Sequence, residues 1–116
     1  MSQLVSIVMP CRNESGHLAD AVRDAFAQQR RGFDLEVLIA VGPSTDGTEA
    51  LAERLRAGHP GLRVLPNPAG VVPHGLNTAI RAARGGIIVR MDAHSRYPPD
   101  YVAALVEALD RTGADN

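Results

Sequence analysis

Apolar residues run nearly unbroken over positions 4–9, 35–41, 62–65 and 87–91, with Val, Ile and Leu predominating. Short runs of this kind, rich in β-branched residues and bounded by turn formers, predict buried strands. The first stops at Pro10, which has no N–H to give a ladder. Between the runs the apolar positions switch to helical spacing. A helix follows the polar loop 11–15 and runs to about Gln29, with Leu18, Val22, Ala25 and Phe26 on one face. The turn Gly42-Pro43-Ser44-Thr45-Asp46-Gly47 introduces a second helix, in which Asp46 and Glu49 have the spacing of an N-cap and its capping-box partner. Leu51 and Leu55 form its buried stripe, and Gly58 ends it. A loop over 66–73, with three prolines and Gly70, leads to a third helix over 75–84. Leu76, Ala79, Ile80 and Ala83 are expected to face inward there, with Gly85 as the stop. A fourth helix starts at Pro98-Pro99, carries Val102, Leu105, Val106 and Leu109 on one face, and ends at Gly113.

Strand and helix therefore alternate four times. That order, with strands apolar on both faces, predicts an α/β fold: a mostly parallel sheet with helices on both faces. In such sheets ligands bind beyond the carboxyl ends of the strands. Those ends carry Arg12-Asn13-Glu14, Gly42-Pro43-Ser44, Asn67 and Asp92-Ala93-His94. The last group stands out. A carboxylate and an imidazole one residue apart, just past a strand, suit a divalent metal that itself holds phosphates. The plainer reading makes Asp92 a turn residue and leaves His94 in solvent. Asp46 reads as a helix cap and Asp100 as a first-turn carboxylate that favours the helix dipole. Arg90 pairs with an acidic neighbour or with phosphate; both readings stay open. Glu14 is a helix-start carboxylate or a site residue. Arg12 reads as an exposed loop residue, and His17, His59 and His74 as surface residues.

The chain has 116 residues, enough for one small domain. A net charge of −1 gives no pull on nucleic acid or anionic membranes, so no nucleic-acid partner is expected. One cysteine, Cys11, permits no intrachain disulfide. The N-terminus lacks a basic region followed by an apolar core, so no leader is expected. No apolar run approaches the roughly 20 residues that span a bilayer. The glycine patterns of a dinucleotide-binding domain, a P-loop and a hydrolase elbow are all missing. A phosphorylation receiver, which also alternates strand and helix, needs acidic residues after the first strand and an Asp after the third. Glu14 and Asn67 do not supply that set.

Several segments carry a resemblance. Residues 5–14 (Val-Ser-Ile-Val-Met-Pro-Cys-Arg-Asn-Glu) resemble the opening of family 2 glycosyltransferases, an apolar strand leading into Pro, two variable residues and Asn-Glu. Ser44-Thr45-Asp46-Gly47-Thr48 is similar to the family's segment after its second strand. Asn67, Gly70, Gly75, Asn77 and Gly85 are similar to its third segment. Asp92-Ala93-His94 stands at its Asp-x-Asp signature, and Tyr97-Pro98-Pro99-Asp100-Tyr101-Val102 at the helix that follows. The resemblance covers nearly the whole chain and is strongest to the exopolysaccharide, succinoglycan-type subgroup.

It implies a GT-A fold in which residues 1–116 form the nucleotide-sugar-binding half of a transferase domain. The donor is a nucleotide-diphosphate sugar, a UDP-sugar by preference. The acceptor is a glycan or lipid-linked glycan, and the transfer inverts the sugar. The implied donor-binding residues are Pro10, Cys11, Asn13, Glu14, Pro43, Asn77, Asp92, Ala93 and His94. Asp92 and His94 hold the divalent cation, Mn2+ or Mg2+, with imidazole favouring Mn2+. An Asp-x-His signature is similar to that of mucin-type N-acetylgalactosaminyltransferases. Two departures matter. Val41 and Gly42 stand where the family carries an Asp pair that reads uracil, so main-chain groups of Cys11 and Pro43 become candidates for the base. The acceptor half and its catalytic base have no counterpart, so the fragment is expected to be inactive alone. Its location is expected to be cytoplasmic, at the membrane face, with self-association through an uncovered sheet edge. A nucleotidyltransferase of similar fold and a non-catalytic module pairing with another chain are the rival readings.

Overall fold

The computed structural model describes residues 3–112. Four parallel strands form one sheet in the order β3-β2-β1-β4: β1 Gln3–Cys11, β2 Phe33–Val41, β3 Leu62–Pro66 and β4 Ile87–Arg90. Helices α1 Leu18–Phe26, α2 Thr48–Gly58, α3 Val72–Ala82 and α4 Tyr101–Thr112 connect and follow them. The alternation predicted a parallel sheet, and every pairing is parallel.

Side chains alternate across β1 and β2, and each set finds its own helices. Val5, Ile7 and Met9, with Val37 and Ile39, pack under Leu18 and Val22 of α1, Ala52 of α2 and Val102 of α4. On the other face Val8, Leu38 and Ala40 meet Ala79 of α3, flanked by Leu65 and Leu76. Helix α3 covers β1, β2 and β3. Next to β1, β4 is left with Ile88 and Arg90 exposed and an apolar cleft of about 420 Å³ between it and Leu105 of α4. This is the uncovered edge expected from the sequence.

Several boundaries differ from expectation, each for a local reason. Strand β1 does not stop at Pro10; it pairs through Cys11. Val8 O accepts from Met91 N on the β4 side. Pro10, two residues on, aims its imide nitrogen to that same side, beyond the last residue of β1 that pairs with β4, so its missing N–H costs no ladder bond. Helix α1 ends at Phe26, not Gln29, because the next residues hold the start of α4. The buried Gln28 amide donates to Pro98 O at 2.8 Å and accepts from Val102 N at 2.9 Å. Gln29 N donates to Pro99 O at 2.8 Å. The prolines precede α4, which begins at Tyr101; Gly113, its expected end, lies outside the described residues.

Helix α3 starts at Val72, with Pro73 in its first turn, and Pro66 belongs to β3. It is also rotated from the expected face. Gly75 and Ala79 are buried while Ile80 is 44% exposed. A Cβ on Gly75 would lie 2.9 Å from Asn67 Nδ2, so the small residues face the sheet and let the helix close on it. Leu105 is likewise exposed rather than buried. Gly85 does more than stop a helix. It approaches β1, where Gly85 N donates to Ser6 Oγ at 2.8 Å. Ser6 in turn donates to the buried Glu36 at 2.6 Å. Glu36 also accepts from Arg84 N at 2.7 Å and from Arg63 at 3.3 Å. Burial raises the Glu36 pKa, but the bonds from Ser6, Arg84 and Arg63 outweigh it and leave the group below its ordinary 4.5.

Candidate functional site

The carboxyl ends of β1, β3 and β4 open on a cleft of about 150 Å³. Strand β1 and its loop contribute Pro10, Cys11, Arg12 and Glu14. The segment between β3 and α3 contributes Asn67, Gly70, Val71 and Val72. Strand β4 and the loop beyond it contribute Arg90, Asp92 and His94.

The loops after β1 and β2 are stitched together side chain to backbone. Asn13 has φ 53, a left-handed conformation that Asn tolerates. Its Oδ1 accepts from Thr45 N at 2.8 Å, and its own N–H donates to Ser44 Oγ at 3.0 Å. Glu14 N donates to Thr48 Oγ1 at 2.9 Å and Ser15 N to Asp46 Oδ2 at 3.1 Å. The capping box predicted for α2 takes another form. Gly47 is the N-cap; Asp46 accepts from Thr48, and Glu49 reaches back to Ser44 N at 3.2 Å. Asp46 is thus a tie between two loops. Its pKa is lowered from 3.8 to about 2, first by the Thr48 hydroxyl and then by the backbone donors of Ser15 and Thr48. A carboxyl depressed in the folded state stabilises above its unfolded pKa, and that contribution is lost as pH falls toward the folded value. Asp46→Ala is therefore expected to lower the melting temperature at pH 7 and to flatten its fall between pH 4 and 2. Parallel thermal melts of both proteins check this; equal melting temperatures at pH 7 would speak against the tie.

The loop after β4 is anchored to α1. Arg96 grips Asp24 with two bonds, at 2.7 and 3.1 Å, and this pairing chiefly depresses the Asp24 pKa. Asp92 N donates to Tyr97 Oη at 2.9 Å. These contacts present Asp92 and His94 to the cleft on a fixed loop. His94 Nδ1 lies 3.8 Å from Glu14 Oε2. That Glu14 oxygen is buried and has no hydrogen-bond partner. Asp92 Oδ1 accepts from Arg90 Nε at 2.9 Å, so Asp92 is the acidic neighbour of Arg90.

Five of the expected site residues, Pro10, Cys11, Glu14, Asp92 and His94, thus share the cleft. Ala93 is buried in the core between the two candidate ligands. Asn13 is turned to the β2 loop. Pro43 is exposed, and its carbonyl accepts from Arg12 Nε at 3.1 Å. Asn77 is exposed on α3 and does not line the cleft. Arg12, Asn67 and Arg90 were not among the expected binding residues, yet all three line it. Asn67 stands at one of the strand ends singled out in the sequence, and its Oδ1 is buried and unpartnered. Burial, then Glu14 and Asp46, pushes the Cys11 thiol up to about 12. Among the described residues no cluster of three or more His, Cys, Asp or Glu could hold a metal alone. No helix among them is long and apolar enough to cross a membrane.

The sequence profile of glycosyl transferase family 2 matches residues 6–116. The chain belongs to glycosyl transferase family 2. Its similarity to the succinoglycan biosynthesis protein ExoA of Rhizobium meliloti is 38% identity over 112 residues, 95% of this chain and 34% of that protein. Among solved structures, the mannosyltransferase PcManGT from Pyrobaculum calidifontis, in complex with GDP-Man and Mn2+, superposes with a TM-score of 0.84 at 30% identity. The match covers 94% of this chain and 33% of that one. Glucosyl-3-phosphoglycerate synthase from Mycobacterium tuberculosis, with Mn2+, UDP and phosphoglyceric acid, matches at a TM-score of 0.69 and 26% identity, over 92% of this chain and 39% of that one. The sheet and its helices are thus a GT-A fold, and the family 2 chain spans about a third of the length of ExoA and PcManGT.

Proposed function

We propose that this chain is the donor-binding part of an exopolysaccharide glycosyltransferase. It binds a nucleotide-diphosphate sugar together with Mn2+ or Mg2+ in the cleft at the strand ends. One observation carries the reading: Asp92, His94 and the unpartnered Glu14 carboxylate line a cleft that also holds Arg12 and Arg90. A diphosphate needs both kinds of group, a cation held by hard ligands and arginines for its remaining oxygens. Asp92 and His94 are two ligands only, which fits a hard cation completed by phosphate oxygens and water.

Bound there, the cation would neutralise charge that builds on the leaving nucleotide diphosphate. The chain's own residues do the rest. Arg96 and Tyr97 hold the loop that carries Asp92 and His94. Arg12, bonded to Pro43 O and Gly70 O, fixes the floor where the base and ribose would lie. Val41 and Gly42 put no carboxylate against the base, so the choice between uridine and guanosine rests on neutral groups. The GDP-Man and UDP complexes of the two solved relatives support a nucleotide-diphosphate sugar without choosing. The reading includes inversion at the sugar, a glycan or lipid-linked acceptor bound by a further part of the protein, and work at the cytoplasmic face of the membrane. The bare β4 edge is where self-association belongs.

Calorimetry with UDP and GDP, with and without Mn2+, tests the reading. Binding of at least one nucleotide that requires Mn2+ is expected, with no sugar transferred by the chain alone. Failure to bind either nucleotide in the presence of Mn2+ contradicts it.

A further inference from the structure

We propose that Arg90 is the counter-ion that occupies Asp92 until donor arrives and then passes to the donor's diphosphate. The inference rests on the reading above and concerns how cation and nucleotide bind together. Arg90 ends β4 on the face that α3 leaves bare, and its side chain is 49% exposed. Its Nε donates to Asp92 Oδ1 at 2.9 Å, and both residues line the cleft. A guanidinium has five N–H donors and does not deprotonate in proteins. The bond to Asp92 uses Nε, which leaves the donors of the two terminal nitrogens outside that bond, on a residue that lines the cleft.

The charged and titratable side chains that line the cleft with Asp92 are Arg90, Arg12, Glu14 and His94. A cation that approaches Asp92 alone meets a carboxylate already paired with a fixed positive charge. The pair must open or be shared, so the bare metal binds weakly. A diphosphate alone finds Arg90 engaged and Glu14 and Asp92 repelling it. When both arrive, the cation takes Asp92, and the freed guanidinium has the planar, two-pronged geometry that matches phosphate oxygens. Each ligand then lowers the cost of the other, which is positive coupling between two sites. A purely structural Arg90 makes no such prediction, because Asp92 is also held through its backbone by Tyr97.

The test uses Arg90→Gln, with Arg90→Lys as a second variant that keeps the charge without the fork. Free Mn2+ is read by electron paramagnetic resonance, and UDP and GDP binding by calorimetry at saturating Mn2+. In Arg90→Gln, Mn2+ alone should bind about threefold more tightly, as expected of a lost like-charge neighbour near the surface. The Mn2+-dependent nucleotide should bind roughly tenfold more weakly, as expected of a lost charged hydrogen bond. Arg90→Lys should fall between the two proteins, and it carries the test if Arg90→Gln does not fold. Both constants unchanged, or both moving in the same direction, would overturn the exchange while leaving the donor reading intact. A wild-type chain that binds no Mn2+–nucleotide overturns both.

Discussion

Asp92→Asn is expected to abolish Mn2+-dependent binding of nucleotide diphosphates. The loss should exceed the roughly 10–100-fold that removal of an outer-shell partner costs a metal site, because Asp92 is a direct ligand in this account. The variant keeps the shape of the carboxylate and removes its charge. It should also keep the fold, since the loop is held by Asp92 N on Tyr97 Oη and by Arg96 on Asp24. The melting temperature should therefore change little while calorimetry loses its signal. His94→Ala should act in the same direction, and its side chain is exposed enough that packing is not disturbed. Nucleotide affinity unchanged in both variants would move the site away from these residues.

Gly85→Ala, in the segment between α3 and β4, is expected to be strongly destabilising. A Cβ at this position would lie 2.6 Å from Ser6 Oγ, 2.7 Å from Leu4 O and 2.8 Å from Ser6 N. Two of these atoms are backbone of the central strand and cannot give way without opening it. A cost of about 3 kcal/mol, the upper end for an overpacked core, is expected. The clash also pushes on the Ser6–Glu36 bond. Glu36 is held below its ordinary 4.5 in the fold, so its stabilising contribution is present above that value and is lost as pH falls through the folded pKa. The variant should consequently show a lower melting temperature at pH 7 and a shallower fall below pH 4.5. A melting temperature equal to wild type would show that the segment between α3 and β4 does not pack on β1 as described.

The sheet was legible because its strands are apolar on both faces and short. Val5, Ile7 and Val8, or Val37, Leu38 and Ile39, leave no room for a helical stripe. Helix boundaries were harder because they are set by partners far along the chain. Gln28, just past its own helix, accepts from Val102 N, 74 residues later, a bond no local pattern encodes. Hydrophobicity alone places Ile80 inward beside Ala79, but closeness of packing decides the face, and Gly75 takes the buried position instead. The candidate site divided in the same way. Asp92 and His94 were visible because they follow a strand that ends abruptly. Arg90 stayed undecided because alternation along a strand gives a face and not a partner. Asn77 read as a site residue through family resemblance alone, and its helix turns it away from the cleft. Asn13 and Asp46 stand among the polar motif residues, yet their atoms are spent holding two loops together.

For a chain of 12.3 kDa, nuclear magnetic resonance tests the central claim most directly. Substoichiometric Mn2+ added in the presence of UDP or GDP broadens amide signals near the bound ion. The account predicts that residues 11–14 and 90–95 broaden first, that the effect needs nucleotide, and that Asp92→Asn removes it. Broadening centred instead on Glu49 and Glu53 of α2, which line a separate pocket against β3, or the same broadening with no nucleotide present, would contradict it.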